Sequence, residues 1–375
     1  MREYDICEVE KLQEVKAYTE SFGTEVQVKP IPTDDTPGIL DPHELAIIKN
    51  HWVARGTNPE EEDIPEWDRG LSPIEKMRDN MGFPNHNICN DEIHTRYETI
   101  MNGENEVGIW YYYRRATMRK PGKPALMFIH GGGWVGGTPY TVENFCRFIA
   151  EKADAVVFNI DYSLAPEKKW PNGLLDCFAA LKHIYDNADK YNIDKNKIGV
   201  SGDSAGGNLT CCLSLMDRDL GTNMIHLQVP IYPVVTFFAT GNPKGYKFDI
   251  NKYEIEGPYK EMLDGMITLG RPKSEDDDSV FLGDMYVNRY AASNPYVSPL
   301  YAASLANQPK TLIVGAEFDG LREQLECYGK LLRDEGNDVR ILRYKGVSHA
   351  FIDRIGFVPQ AEDLALEISE ELKNL

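Results

Sequence analysis

One five-residue stretch of the sequence has the pattern of a nucleophilic serine. Residues 202–206 read Gly-Asp-Ser-Ala-Gly, with the serine at Ser204. The apolar run KIGVS precedes this stretch and the run AGGNLTCCLSLM follows it, which predicts a strand, a sharp turn and a helix. Such a turn needs small neighbours because its backbone is crowded. The helix N-terminus behind the serine favours the negative charge that develops during acyl transfer. An ordinary glycine-rich turn capped by serine is the structural alternative.

A second stretch offers uncovered backbone amides. Residues 130–134 read His-Gly-Gly-Gly-Trp and directly follow the apolar run PALMFI. Three consecutive glycines leave N–H groups free to hold the oxyanion of a tetrahedral intermediate. A flexible loop or a phosphate cradle is the alternative. Neither a Walker lysine nor the wider context of a dinucleotide-binding motif follows, so the phosphate reading is weak.

The base and the acid can be sought by their order in the chain. When a nucleophilic serine lies on a strand–turn–helix, an acid and then a histidine follow it in the sequence. Only His226 and His349 follow Ser204. His226 opens a predicted strand, whereas His349 lies in a loop after one, so His349 is the predicted base. Asp319 follows the predicted strand TLIVG and is the predicted acid, with Glu317 as the alternative.

These three side chains would carry out acyl transfer through a covalent intermediate. His349 would take the proton of Ser204 and return it to the leaving alcohol, for which an ordinary histidine pKa near 6.5 is suitable. Asp319 would fix the tautomer of the imidazole and stabilise its protonated form. Water would then cleave the acyl-enzyme formed on Ser204.

Strand and helix patterns alternate from about residue 105 onward. Short, nearly continuous apolar runs of the kind found in buried parallel strands occupy 106–115, 124–129, 155–160, 197–201, 226–231, 311–315 and 339–344. Helix-length segments lie at 141–152, 173–190, 205–217, 321–336 and 360–374. This alternation predicts a mostly parallel α/β sheet covered by helices on both faces.

Two regions depart from this alternation. The first hundred residues are polar and rich in proline and acidic groups, with helices predicted at 8–19 and 42–54. Residues 237–295 are rich in Gly, Asp, Tyr and Lys, and long segments of this kind are often lids or binding segments. The sequence therefore predicts an N-terminal cap region over 1–100, a first core part over 101–236, an insertion contributing to the cap over 237–295 and a second core part over 296–375.

The overall charge limits the classes of partner. Lys and Arg number 40 against 59 Asp and Glu, which gives a net charge of −19 among 375 residues. Such a surface repels phosphate backbones and anionic lipids, so we expect neither a nucleic-acid nor a membrane partner. The first residues lack the apolar segment of a signal peptide, and no apolar run is long enough to span a bilayer. Seven scattered cysteines without metal-binding spacing predict reduced thiols and a cytoplasmic location.

Five motifs, in this order, resemble those of the hormone-sensitive lipase family of α/β-hydrolases, which includes the bacterial family IV esterases. They are HGGGW at 130–134, DYSLAPE at 161–167, GDSAGGN at 202–208, EFDGLRE at 317–323 and HAF at 349–351. The resemblance covers about 105–375. The first hundred residues contain none of these motifs. They correspond only to the N-terminal cap region that such enzymes commonly carry.

The resemblance implies an α/β-hydrolase fold with a helical cap over the site, built from the N-terminal segment and the insertion. It implies a carboxylic ester hydrolase that needs no cofactor or metal, with a triad of Ser204, Asp319 and His349. It places the oxyanion donors at the backbone N–H groups of Gly132, Gly133 and Ala205.

Three residues depart from the usual pattern of the family. Ser163 stands where the family usually has Arg, Gly320 where it has Pro, and Glu323 where it has Asp. None of these changes removes a catalytic group. We expect the ion pairs that brace the oxyanion loop to be rearranged.

Three further residues are candidates for the substrate pocket. Trp134 follows the glycine loop and could either wall the pocket or pack in the core. Asp203 precedes the nucleophile and could contact the cap, although stabilising the turn is the better interpretation. Tyr232 ends a predicted strand on the active face and could line the pocket.

The expected substrate is a small ester with a short acyl chain. The acidic, polar insertion does not suggest the broad apolar entrance that long lipids need. An amidase or peptidase with the same triad is one alternative, since the triad serves both leaving groups. A non-catalytic binding protein on the same fold is another, but the presence of His349 argues against it. The oligomeric state stays open, with a homo-oligomer as one option.

Overall fold

A ten-stranded sheet forms the centre of the molecule. The computed structural model describes residues 1–56, 72–238, 242–255, 257–268 and 281–375. The strands are β1 Ala17–Ser21, β2 Thr24–Lys29, β3 Ile93–Asn102, β4 Asn105–Arg114, β5 Lys123–Ile129, β6 Val156–Asp161, β7 Ile193–Asp203, β8 Leu227–Ile231, β9 Lys310–Phe318 and β10 Val339–Ser348. They lie in the order β1-β2-β10-β9-β8-β7-β5-β6-β4-β3.

Most neighbouring strands run parallel. The pairs from β2 through β10, β9, β8, β7 and β5 to β6 are all parallel. Antiparallel pairing is confined to β1 at one edge and to β4 and β3 at the other. The predicted mostly parallel sheet is confirmed.

Parallel strands bring the candidate catalytic residues to one edge of the sheet. Ser204 directly follows β7, Asp319 directly follows β9, and His349 directly follows β10. The glycine loop at 130–134 directly follows β5. Because these four strands run in the same direction, the residues after them meet at the carboxyl edge of the sheet, where ligands bind in open α/β folds.

Helices connect the strands and flank the sheet. They are α1 Ile6–Glu14, α2 Pro42–Gly56, α3 Pro73–Asp79, α4 Glu143–Ala153, α5 Asn172–Asp186, α6 Ala188–Tyr191, α7 Ala205–Asp219, α8 Lys260–Ile267, α9 Phe281–Tyr286, α10 Arg322–Asp334 and α11 Pro359–Lys373. Two helices of the polar N-terminal region begin with capping boxes, α1 at Asp5 and α3 at Ser72. A capping box satisfies two backbone N–H groups that a helix start would otherwise leave free.

The side chains of β5 alternate between two hydrophobic clusters. Leu126 and Phe128 belong to a cluster that also contains residues of α4 and α11. Ala125, Met127 and Ile129 belong to a second cluster, which contains residues of α5 and α7. Since successive side chains of a strand point to opposite faces, helices cover both faces of the sheet, as the sequence predicts.

Parts of the predicted cap region belong to the sheet. The helix predicted over 8–19 ends at Glu14, and the chain continues as β1 and β2. β2 pairs in parallel with β10, and β3 pairs with β4 at the opposite edge. Sequence reasoning missed β1 and β2 because they are short and polar and because β2 pairs with the far end of the chain. The division of the chain into cap and core stays a prediction.

The N-terminal segment and the insertion pack against each other beside the site. Leu40 and Ile48 form a small apolar cluster with Met262 and Leu263 of α8. Phe318, the last residue of β9, belongs to the same cluster and precedes Asp319. Parts of both regions, including the acidic run at 274–279, lie outside the described residues. Among the described helices, none has the length and apolar character needed to cross a bilayer.

Candidate active site

Ser204 lies on a sharp turn between β7 and α7. Its φ of 54° and ψ of −115° place it in a backbone region that non-glycine residues rarely adopt. The turn is held by two backbone hydrogen bonds, from Ser204 N to Ile231 O and from Asn208 N to Ser204 O, each 2.9 Å long. The neighbouring structure therefore maintains the strained backbone of this serine.

Glycines next to Ser204 let the turn pack against neighbouring strands. A Cβ atom on Gly206 would lie 1.9 Å from the carbonyl oxygen of Ile129. A Cβ atom on Gly202 would lie 2.5 Å from the carbonyl oxygen of Gly206. Neither distance is compatible with a side chain, so the motif uses glycine at both positions for close backbone approach.

A chain of two hydrogen bonds connects Ser204, His349 and Asp319. The Nε2 atom of His349 lies 2.9 Å from Ser204 Oγ, and its Nδ1 atom lies 2.7 Å from Asp319 Oδ2. With a proton on Nδ1 donated to the carboxylate, Nε2 is free to accept the serine proton. The other carboxylate oxygen of Asp319 accepts a hydrogen bond from Leu321 N at 2.8 Å, which fixes the orientation of the acid.

The charges around His349 favour its protonated form. Burial lowers the pKa of His349, but the carboxylates of Asp319 and Asp203 raise it, and the result lies above the ordinary value of 6.5. An imidazole of raised basicity accepts a proton more readily, which suits a group that takes the serine proton.

The alternative acid and base lie elsewhere. The carboxylate of Glu317 accepts a hydrogen bond from Gly346 N at 2.8 Å, and burial raises the pKa of this carboxyl group. His226 precedes β8, where its backbone N–H donates to Ile198 O. Of the two acids considered from the sequence, Asp319 is therefore the one in contact with His349.

The glycine loop after β5 forms a tight turn next to Ser204. Gly132 and Gly133 have φ values of 120° and 61°, which favour glycine, and a Cβ atom on Gly132 would lie 2.1 Å from Gly136 O. The turn is closed by a hydrogen bond of 2.9 Å from Gly136 N to Gly132 O. Ala205, the third residue implied as an oxyanion donor, begins α7 directly after the serine.

Asp203 connects the turn that carries Ser204 to the glycine loop. Its Oδ1 atom accepts a hydrogen bond from Gly131 N at 2.7 Å, and the side chain is buried. This contact agrees with the role of stabilising the turn. Burial raises the pKa of Asp203 to about 6.

Arg78 of α3 braces the glycine loop from outside the core. Its guanidinium donates to the carbonyl oxygens of Val135 and Ala165, at 2.5 and 2.9 Å. It also forms a two-pronged ion pair with Glu167, the shorter distance being 2.7 Å. Ser163 occupies the position where the family usually has arginine, and in this chain an arginine of the N-terminal region makes the brace. Sequence reasoning missed Arg78 because no motif marks it.

Trp134 lies within a stack of aromatic rings. Its ring centre lies 4.6 Å from that of Tyr286 and 5.1 Å from that of Phe237. Only 4% of Trp134 is exposed. Because Phe237 and Tyr286 belong to the insertion, Trp134 anchors the insertion beside the glycine loop.

Tyr232 contacts His349, the predicted base. Its ring centre lies 4.8 Å from that of His349, and the side chain is fully buried. The backbone N–H of Tyr232 donates to Val314 O at 2.6 Å. The aromatic ring of Tyr232 therefore packs against the imidazole of His349.

The insertion also contacts the loop that carries Asp319. The hydroxyl of Tyr253 donates to Asp319 O at 2.9 Å. Glu323, where the family usually has Asp, accepts from Asp249 N at 2.6 Å and pairs with Lys252 at 3.0 Å. The longer side chain at Glu323 thus ties this loop to the insertion, a contact that no sequence pattern indicated.

Comparisons with known proteins support the family assignment. A model of a family described as having the alpha/beta hydrolase fold matches residues 126–353. An arylesterase of Saccharolobus solfataricus is 34% identical over 244 residues, which cover 63% of this chain and 71% of the relative. This chain belongs to the hormone-sensitive lipase family of α/β-hydrolases. The family and the fold that the motifs implied are thus confirmed.

Solved structures of esterases have folds similar to that of this chain. An esterase of Pyrobaculum calidifontis superposes with a TM-score of 0.63 at 31% identity, covering 80% of this chain and 88% of that one. An arylesterase structure superposes with a TM-score of 0.68 at 27% identity, covering 89% of this chain and 99% of that one.

Proposed function

We propose that this member of the hormone-sensitive lipase family hydrolyses small carboxylic esters with short acyl chains, with Ser204 as nucleophile. The observation that carries the proposal is the arrangement around His349, with Ser204 Oγ 2.9 Å from one ring nitrogen and Asp319 Oδ2 2.7 Å from the other. Relatives named arylesterase and carboxylesterase support an ester as the substrate class.

The reaction begins with proton transfer and attack. His349 Nε2 accepts the proton of Ser204 as Oγ bonds to the ester carbonyl carbon, and the carbonyl oxygen becomes an oxyanion. His349 then donates that proton to the leaving alcohol, and the acyl-enzyme remains on Ser204. Water attacks the acyl-enzyme by the same sequence of proton transfers and releases the acid.

The oxyanion is assigned to three backbone N–H groups, those of Gly132, Gly133 and Ala205. Two of these groups lie in the glycine loop after β5, and the third, at the start of α7, directly follows Ser204 in the chain. Loss of one such donor typically lowers the rate by about 10²- to 10³-fold. The brace from Arg78 and the contact from Asp203 hold the glycine loop in the position that this role requires.

The preference for short acyl chains is supported by the packing next to the glycine loop. Trp134 and Tyr286, with 4% and 2% of their surfaces exposed, stack against each other there. Rings packed this closely leave little room for a long alkyl chain on that side of the site.

A series of p-nitrophenyl esters from acetate to palmitate tests the proposal. We expect kcat/KM to be highest for the acetate-to-hexanoate esters, with Ser204→Ala about 10⁴-fold or more below wild type. Faster turnover of palmitate than of butyrate would overturn the acyl-length preference. Undiminished activity in Ser204→Ala would overturn the assigned nucleophile.

Amide hydrolysis by the same triad is tested with a matched pair. We expect the p-nitrophenyl ester of butyrate to be cleaved much faster than the p-nitroanilide of the same acid. A higher kcat/KM for the anilide would favour the amidase. A folded wild-type protein that turns over neither substrate would favour a binding protein.

A further inference from the structure

A buried carboxylate of the N-terminal segment reaches the loop that carries His349. Glu44 lies in the first turn of α2, and its side chain is fully buried. Its Oε1 atom accepts hydrogen bonds from Ser348 N at 3.0 Å and from Ser348 Oγ at 2.5 Å. The contact therefore lies one residue before the catalytic histidine.

The same carboxylate oxygen pairs with a cation that follows the histidine. Arg354 Nη1 lies 2.6 Å from Glu44 Oε1, and 14% of the arginine side chain is exposed. The guanidinium also donates to the backbone oxygen of His349 at 3.5 Å. Glu44 therefore holds Ser348, the residue before His349, and Arg354 contacts the backbone oxygen of His349 itself.

The backbone of this loop needs such support. Gly346 has a φ of 73° and Ala350 a φ of 63°. A left-handed conformation at a residue with a side chain persists only when its surroundings hold it. With Ala350 next to His349, relaxation of this residue would move the imidazole.

The start of α2 is fastened to the same loop. The backbone N–H of Asp41 donates to Gly346 O at 2.9 Å. The Oδ2 atom of Asp41 accepts a hydrogen bond from the buried Gln360 at 2.9 Å. Glu44 therefore acts from a fixed position.

We propose that Glu44 is a positioning residue for His349, so that a side chain outside the segment matched by the family model completes the active site. The inference rests on the proposed ester hydrolysis and adds a residue to it. Glu44 contacts Ser348 and Arg354, and it sets the position of the imidazole relative to Ser204 Oγ. A displacement of about 1 Å at a reacting group can lower a rate by about 100-fold.

Two substitutions of Glu44 separate the effect of its hydrogen bonds from the effect of its charge. Glu44→Ala removes every contact of the carboxylate, and we expect kcat for p-nitrophenyl butyrate to fall about 100-fold with KM within threefold of wild type. Glu44→Gln keeps an oxygen that can accept from Ser348 while losing the ion pair with Arg354. We expect Glu44→Gln to lose only about fivefold in kcat, which is rescue by the conservative variant.

Arg2→Ala is the matched control. Arg2 also belongs to the N-terminal segment and pairs at 2.6 Å with Glu362, a buried residue of α11. Its loss weakens the docking of the segment without touching the loop of His349. We expect a lower midpoint of thermal unfolding and an unchanged kcat per folded enzyme.

Proton NMR reports on the position of the imidazole in the absence of substrate. The proton shared between His349 Nδ1 and Asp319 should give a downfield signal in the proton NMR spectrum of the wild type and of Arg2→Ala. We expect this signal to be weakened or shifted in Glu44→Ala and retained in Glu44→Gln.

The outcomes distinguish the inference from the proposed function. If the wild type cleaves the ester and folded Glu44→Ala keeps kcat within threefold of it, Glu44 is not a positioning residue. An equal loss of kcat in Arg2→Ala would overturn the inference as well.

If the wild type cleaves no ester, the proposed function fails, and an unchanged NMR signal in Glu44→Ala then overturns the inference too. If Glu44→Ala does not fold, a wild-type kcat in Glu44→Gln overturns it.

Discussion

Asp203 accepts a hydrogen bond from the backbone N–H of Gly131 at 2.7 Å, so the residue before Ser204 fixes the loop to which the oxyanion donors are assigned. The relationship joins two motifs that lie about seventy residues apart in the chain, at the ends of the adjacent strands β5 and β7. Both halves of the proposed chemistry, attack and charge stabilisation, are therefore mechanically connected.

Replacing Asp203 by alanine should loosen this connection. The buried N–H of Gly131 would lose its acceptor, which costs about 1–3 kcal/mol of folding free energy. We expect kcat to fall about 10- to 100-fold because the glycine loop shifts. Urea unfolding and steady-state kinetics check both effects, with Asp189→Ala, at an exposed position, as control. An Asp203→Ala enzyme with wild-type kcat would show that the loop holds its position unaided.

The acid limb of the pH–rate profile should lie above pH 6.5. His349 acts as a base only when neutral, and nearby carboxylates raise its pKa above that ordinary value. Activity is therefore lost as the pH falls through the raised pKa. Measuring kcat/KM for p-nitrophenyl butyrate between pH 5 and pH 9 locates this limb. A midpoint below 6.5 would mean that burial outweighs the carboxylate charges.

Arg78 should matter for kcat although it lies outside the predicted motifs and is only partly buried. Removing it frees the carbonyl oxygens of Val135 and Ala165, and we expect kcat for Arg78→Ala to fall about 10-fold. Arg78→Lys should not restore the rate, because an ammonium cannot reproduce the planar fork that reaches several acceptors. Arg115→Ala, which removes an exposed ion pair with Glu92, is the control. Full activity in Arg78→Lys would contradict the bracing role.

Asp353 should make the folded state sensitive to pH. Burial, with the nearby Asp203 charge, raises the pKa of Asp353 to about 8. The unfolded chain ionises this carboxyl group near its ordinary value of 3.8. Between these pH values the folded state binds the extra proton, so the contribution of Asp353 to stability decreases as the pH rises.

Asp353→Asn, which cannot ionise, tests this sensitivity. We expect it to stabilise the protein more at pH 8 than at pH 5, measured by urea unfolding at both values. Asp186→Asn, at an exposed position, controls for the change in net charge. A stability difference that is the same at both pH values would contradict the prediction.

The strands that carry the site were predictable because they are buried on both faces. Runs such as PALMFI and TLIVG are nearly all apolar, and each corresponds to a central strand of the sheet. Strands β1 and β2 were not predictable, because β1 at the edge is exposed and β2 pairs with β10 from the opposite end of the chain. Local patterns carry no information on a pairing between such distant segments.

The residues of the site also differ in whether the sequence alone could predict them. Ser204, Asp319 and His349 each follow a strand that the sequence reveals, and parallel strands bring their ends together. Glu44 and Arg78 belong to helices of the N-terminal region, where no sequence motif distinguishes a charged residue that makes a buried contact from one in solvent. Their contacts depend on how the N-terminal segment docks, which only the folded chain shows.

In the proposed reaction Ser204 carries the acyl group between attack and hydrolysis, so trapping the acyl-enzyme is the decisive experiment. Wild-type protein mixed with a slowly hydrolysed p-nitrophenyl ester is quenched in acid, digested and analysed by mass spectrometry. We expect one acyl group per chain, on the peptide containing Ser204, formed far more slowly in His349→Ala. An acyl group on another residue, or turnover with no acylated peptide at any time, would contradict the proposed reaction.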